Sequence, residues 1–173
     1  ITVQLNAAGT ATVTGAMINA GSTDACGIAS LAASPSAFSC ANVGANPVTL
    51  TVTDNNGNTA TCAATVTVQD NTPPSVVCVN TTVFLNSGGA VTPPSPPANL
   101  PTDNCGIDTI VASQTTFTCA NTGNNNVTVT VTDVNGNSAS CAAILTVLDT
   151  IRPTALCQNV TASLGASFPG SAS

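Results

Sequence analysis

The chain has 173 residues, one basic side chain (Arg152) and seven acidic ones, all aspartate, for a formal net charge of −6 and a pI near 4.1. Without lysine or arginine clusters it has no electrostatic footprint for nucleic acid or for an anionic membrane surface. Without His, Lys or Glu it lacks the acid–base pairs and activated nucleophiles that most enzymes use, so an enzyme is not expected. An apolar share of 43% is enough for a core, and a polar remainder rich in Thr, Ser and Asn suits strands and turns better than helices.

In chain order, short β runs are expected at residues 1–5, 10–14, 28–33 and 37–41. Val48, Leu50 and Val52 then alternate with Thr49, Thr51 and Thr53, the period-two pattern of a half-buried strand. An Asp54-Asn55-Asn56-Gly57-Asn58 turn follows, with glycine suited to positive φ. The next strand places Cys62, Ala64, Val66 and Val68 on one face, which closes a hairpin. A linker running from Gln69 to Pro74 leads into the same pattern again. Val127, Val129 and Val131 alternate with threonines, Asp133-Val134-Asn135-Gly136-Asn137 forms the turn, and Cys141, Ala143, Leu145 and Val147 share a face. The second copy differs at Thr92-Pro93-Pro94-Ser95-Pro96-Pro97, which reads as a polyproline-like edge segment in place of an ordinary second strand. No segment carries helical periodicity.

The eight cysteines fix the period. Cys105, Cys119, Cys141 and Cys157 each lie 79 positions after Cys26, Cys40, Cys62 and Cys78. A period of this size is too long for a solenoid and suits a complete small β-domain. Six or seven short strands per unit argue for an all-β fold of tandem, disulfide-stapled, immunoglobulin-like β-sandwich repeats. The expected units are 1–72 with a truncated start, 73–151, and a truncated third copy at 152–173, so the chain is read as a piece of a longer protein.

Zinc sites favour close Cys pairs and often His, and neither is present, which leaves a disulfide framework in an oxidising compartment. Cys26 and Cys40 are separated by what reads as strand-turn-strand, so a Cys26–Cys40 bridge and its copy Cys105–Cys119 are expected. In an immunoglobulin-like sandwich the first strand can run parallel to the last. That brings Cys78 to Cys141 and assigns Cys62 and Cys157 to partners outside the fragment.

The strings Ser22-Thr23-Asp24-Ala25-Cys26-Gly27-Ile28, Phe117-Thr118-Cys119-Ala120-Asn121, Val129-Thr130-Val131-Thr132-Asp133-Val134-Asn135-Gly136-Asn137 and Cys157-Gln158-Asn159-Val160-Thr161 resemble repeats of giant Bacteroidota surface proteins, including the SprB-like gliding-motility adhesins. The Thr-Asp-x-x-Gly-Asn pattern followed by Cys and Val-Thr-Val also resembles HYR domains, which share the immunoglobulin-like fold. The resemblance covers nearly the whole chain. It implies type IX secretion, attachment to the bacterial cell surface and a part in adhesion or gliding, with polysaccharide, substratum or other surface proteins as partners beside the neighbouring repeats.

Three function classes follow. A structural stalk or filament module that spaces an adhesive region is favoured by near-identical consecutive copies. A glycan- or protein-binding module should display exposed aromatics, and aromatics are 2% here. An accessory domain of a secreted enzyme is the third. Asp108-Thr109-Ile110 and Asp149-Thr150-Ile151 resemble a bacterial O-glycosylation acceptor, and Asn80, Asn126 and Asn159 head N-x-[ST] triplets; both patterns are short enough to arise by chance. The remaining candidate is calcium at the junction of the two units. There the linker residues Asp70 and Asn71, the loop residue Asp103 and the turn residues Asp133, Asn135 and Asn137 would converge as hard oxygen ligands. Asp149 would begin an equivalent site at the next junction. Turn capping is the more ordinary role for these aspartates, and the string lacks the bidentate Glu of an EF-hand loop.

Overall fold

The computed structural model describes residues 1–161. It is all-β apart from one short helix and two 3-10 turns, and it contains the same immunoglobulin-like sandwich twice. Unit 1 holds strands β1 (Thr2–Gln4) and β2 (Thr10–Thr12), helix α1 (Gly15–Ile18), and strands β3 (Ile28–Ser34), β4 (Ala37–Ser39), β5 (Gly44–Asp54) and β6 (Thr59–Gln69). Unit 2 holds β7 (Thr81–Phe84), β8 (Ala90–Val91), β9 (Ile107–Ala112), β10 (Phe117–Thr118), β11 (Gly123–Asp133) and β12 (Ser138–Leu148). One layer of each sandwich is a four-stranded sheet, β1-β6-β5-β3 or β7-β12-β11-β9; the other is a short pair, β2-β4 or β8-β10.

The long hairpins form where the alternation predicts them. In β11, Val127, Val129 and Val131 are fully buried while the threonines between them face outward or sit at the margin. Phe38 and Phe117 come from the opposing short pairs and fill the space between the layers. Around Phe38 lie Val3, Leu5, Val13, Val48, Val66 and Val68; around Phe117 lie Val83, Leu85, Val127, Leu145 and Val147. Each side chain of this kind contributes about 1.5–3 kcal/mol on burial. One aromatic and a ring of aliphatics is a small core for a domain of this size, so cross-links matter.

The first strand of each unit runs parallel to the last: Val3 opposes Val68, and Val83 opposes Val147. Extending the second register backwards brings Cys78 beside Cys141, and the two are bonded, with Cα atoms 5.6 Å apart.

Two local expectations are corrected. Residues 15–18 form a helical turn laid on β3, where Gly15 leaves no room for a Cβ against the Leu31 backbone. Four residues are too few to show a helical period. The proline-rich segment of unit 2 does not eliminate the second strand but shortens it to Ala90–Val91, paired with Thr118 and Phe117. Proline lacks the N–H that would continue the ladder. The equivalent turns Asn6–Gly9 and Asn86–Gly89 have the same Gly N–H to Asn C=O bond, at 2.8 and 2.9 Å. They lie 80 positions apart, so unit 2 is one residue shorter across its proline-rich stretch. Residues 152–161 form no strand, and 162–173, the rest of the expected third copy, fall outside the described residues.

Candidate functional site: the junction between the two units

Strand direction gives each unit two poles. The β5–β6 and β11–β12 turns mark one, termed here the hairpin pole. Both β6 and β12 run away from it, so the end of unit 1 is delivered to the hairpin pole of unit 2. Cys26 precedes β3, whose first residue opposes Asp54, and so lies at the hairpin pole of unit 1. Cys40 lies just before β5, which begins opposite the end of β6, and so occupies the far pole. The eleven residues of β5 separate these poles by about 30 Å at 3.3 Å per residue.

That separation overturns the expected Cys26–Cys40 bridge and its copy Cys105–Cys119. Residues 34–37 do not turn the chain back. They carry it from the four-stranded sheet, where β3 pairs with β5, to the short sheet, where β4 pairs with β2, while it continues in the same direction. Cys40 is instead bonded to Cys105 of unit 2, at a Cα–Cα distance of 5.4 Å and a sequence separation of 65. Both sulfur-bearing residues pack against the core of unit 1. Cys26, Cys62, Cys119 and Cys157 are exposed and unbonded.

Around this bridge the units interlock. Asn104 Nδ2 donates to the carbonyl of Asn6 at 3.3 Å and to Asp70 Oδ1 at 3.1 Å. Asn137 Nδ2 donates to the carbonyl of Asp70 at 3.1 Å. Gly9 has φ +69°, and a Cβ there would lie 2.7 Å from both the Asn104 carbonyl oxygen and Cys40 Sγ. Only glycine accepts this conformation and this approach.

The same junction gathers charge. Asp70, Asp103 and Asp133 each present a carboxylate oxygen within 4.8 Å of the others. Asp70 is 5% exposed and Asp133 2%. At that spacing and an effective dielectric of about 20, each like-charge pair repels by about 3 kcal/mol. No basic side chain offsets this: the chain's single Arg152 lines a cleft with Cys119 and Asp149 instead.

Local hydrogen bonds orient each carboxylate. Asp103 Oδ1 accepts from the Cys105 and Gly106 amides at 2.8 and 3.0 Å. Asp70 Oδ1 accepts from the Thr72 amide at 3.1 Å as well as from Asn104. Asp133 Oδ1 accepts from the Asn135 and Asn137 amides at 2.9 and 2.8 Å, and Oδ2 from Asn137 Nδ2 at 2.7 Å. Burial pushes the Asp133 carboxyl up, but the bonds from Asn137, Asn135 and Gly136 outweigh it and hold the group below the usual carboxylate range. Four buried oxygens have no protein donor: Asp70 Oδ2, Asp103 Oδ2, Asn104 Oδ1 and Asn135 Oδ1.

Of the residues expected at this junction, the structure brings Asp70, Asp103 and Asp133 together and leaves a bare oxygen on Asn135. Asn137 acts as a donor that ties the turn to the linker. Asn71 is exposed and adds nothing to the set of buried oxygens. Asn104 was not anticipated. Its signal was available: it replaces Ala25 within the otherwise repeated Thr-Asp-x-Cys-Gly-Ile string.

The HYR domain family model matches residues 6–68, most of unit 1. No curated protein matches the chain. Among solved structures, the chain is similar to "PcdhgB3 EC1-4", at 16% identity and a TM-score of 0.33, covering 62% of this chain and 32% of that one. It is similar to the fibronectin(III)-like modules of Clostridium thermocellum CbhA, at 14% identity and a TM-score of 0.33, covering 72% of this chain and 73% of that one. Extracellular cadherin domains 1–4 of Protocadherin Gamma B7 align at 15% identity and a TM-score of 0.32, covering 71% and 42%. This chain thus spans about a third of the length of the first of these.

Proposed function

We propose that the chain is a segment of an extracellular, adhesion-type stalk in which a unit of about 79 residues, here 73–151, repeats and is cross-linked to its neighbours in series. The observation that carries this reading is the Cys40–Cys105 bridge, which joins the far pole of one unit to the hairpin pole of the next. A disulfide inside a unit stabilises that unit; a disulfide between units restricts their relative motion. The bridge fits an oxidising compartment, and no helix among the described residues is long and apolar enough to cross a membrane. The HYR match and the repetition support a surface protein whose modules supply length and stiffness, with the neighbouring repeat as the immediate partner.

Translating the bridge along the repeat accounts for the unbonded cysteines. Cys119 occupies the position of Cys40, beside Gly89 as Cys40 is beside Gly9, and Cys26 occupies the position of Cys105. In a longer array Cys119 would bond to a following unit and Cys26 to a preceding one. Cys62 and Cys157 would each find a separate partner within its own unit, as Cys78 does with Cys141. Attachment to a bacterial surface, type IX secretion and gliding rest on the resemblance of the repeat strings alone.

Small-angle scattering tests the stalk reading. Oxidised protein should behave as an extended rod, and reduction should broaden its distribution of shapes. A compact side-by-side particle, or a profile unchanged by reduction, would overturn it.

A further inference from the structure

We infer that the junction is a calcium site, with Asp70, Asp103 and Asp133 as carboxylate ligands and the side-chain carbonyls of Asn104 and Asn135 completing an all-oxygen cradle. Two independent observations lead here. The first is the convergence of three carboxylate oxygens within 4.8 Å, without a basic side chain to neutralise them. The second is the set of bare acceptors. Asp70 is 95% buried, yet its Oδ2 has no donor, although its Oδ1 is held by the Thr72 amide and Asn104. Asp103 repeats the pattern, with Oδ1 fixed by two amides and Oδ2 bare. The Asn104 and Asn135 carbonyl oxygens are also buried without a donor.

Buried acceptors are normally satisfied, because leaving one bare forfeits its hydration. Two of these oxygens belong to carboxylates of the cluster, and the other two belong to Asn104 and Asn135, within two residues of Asp103 and Asp133; all four are acceptors that only a cation or an array of donors can satisfy. Turn capping accounts for one oxygen on each of Asp70 and Asp103 and leaves the other unexplained.

The donor set selects the ion. Zinc favours nitrogen and sulfur ligands, but the chain has no His and Cys105 is committed to a disulfide. Magnesium demands a tight octahedron and keeps much of its water, whereas calcium accepts six to eight oxygens in flexible geometry. Protein oxygens from five residues in three segments match calcium.

The ligands are divided between units. Asp70 ends unit 1, and the other four residues belong to unit 2, so neither unit holds the site alone. The site itself rests on the junction geometry. Its purpose, fixing the angle between successive units, rests on the stalk reading proposed above.

The test is calorimetric titration of CaCl₂ into the oxidised 173-residue chain, with melting temperature followed in parallel. Extracellular calcium modules bind at about 10⁻⁴–10⁻³ M, and one calcium per chain is expected in or below that range. Asp70→Asn and Asp103→Asn keep the side-chain shape and should each weaken binding by about ten-fold or more. Asp54→Asn, at the open hairpin pole of unit 1, should leave it unchanged. Should either aspartate variant fail to fold, Asn104→Ala retains all three carboxylates and should still weaken binding and reduce the calcium-dependent rise in melting temperature. No binding by the parent chain at about 10 mM calcium, undiminished binding in these variants, or equal affinity for Mg²⁺ would overturn the assignment. Scattering in calcium-free buffer reports on the stalk separately, since the Cys40–Cys105 bridge needs no ion.

Discussion

The chain carries one turn twice, in two settings. Asp54 and Asp133 occupy the same place in Thr-Asp-x-Asn-Gly-Asn strings and make the same bonds. Asp54 Oδ1 accepts from the Asn56 and Asn58 amides at 2.8 Å each, and Oδ2 from Asn58 Nδ2 at 2.8 Å. Those values match the Asp133 set to within about 0.1 Å. The Asn58 side-chain bond, assisted by amides of the turn, holds the Asp54 carboxyl below its usual range against the opposing effect of burial. What differs is the cover. Asp133 lies beneath the linker of the preceding unit, with Asp70 beside it and Asn137 bonded to the Asp70 carbonyl. Asp54 remains partly exposed, with no linker over it in this chain. The local sequence therefore builds a capped turn in both places, and only the arrival of a neighbouring unit turns it into a buried cluster of oxygens. The candidate site belongs to the junction and not to the domain.

The same contrast holds at the other pole. Asp70 is buried and hydrogen-bonded to Asn104 of unit 2, while its repeat equivalent Asp149 is exposed and bonded only to the Ile151 amide at 2.9 Å. Cys40 is bonded to Cys105, whereas Cys119, in the same local setting, is exposed and unbonded.

Breaking the bridge gives the largest separation between these settings. In the chain-entropy model, closing a 65-residue loop contributes about 4 kcal/mol, so Cys40→Ser with Cys105→Ser should lower unfolding stability by about that amount. Cys26→Ser with Cys119→Ser should change it little. Chemical denaturation of the two double variants measures the difference, and similar losses in both would refute the asymmetry.

The paired glycines sharpen the comparison. Gly9→Ala and Gly89→Ala both force a side chain into positive φ, a strain of about 1–3 kcal/mol. At Gly9 the added Cβ also meets the Asn104 backbone at 2.7 Å, whereas at Gly89 it meets only Cys119 Sγ at 2.9 Å. Gly9→Ala should therefore cost more, and thermal melts of the two proteins should rank them in that order. The aspartates give the smallest effect. Asp133→Ala strips donors of their acceptor in a buried turn and should cost about 1–3 kcal/mol at saturating calcium, where the repulsion among the three carboxylates is neutralised. Asp54→Ala removes the same bonds where water can replace them and should cost less. Equal losses at the two positions would mean that junction burial contributes nothing.

Much of this organisation was legible in the residues. The cysteine period gave the repeat, and the Val/Thr alternation gave the long hairpins and their inward faces, because a two-residue period has one geometric meaning on a strand. Tracing linker, loop and turn to one pole placed Asp70, Asp103 and Asp133 together. The disulfides were less legible for a definite reason. Ala33-Ser34-Pro35-Ser36 has turn composition, and composition does not separate a reversal from a passage between sheets. Read as a reversal, it puts Cys26 beside Cys40; as a passage, it sends them to opposite poles. Asn104 is invisible in what the copies share, because it stands where they differ, opposite Ala25.

The central claim is that successive units are covalently joined pole to pole. Non-reducing peptide mapping of the natively oxidised chain, with thiols blocked before digestion, addresses it most directly. Linked peptides containing Cys40 with Cys105 and Cys78 with Cys141 are predicted; a linked Cys26–Cys40 or Cys105–Cys119 peptide would contradict the account.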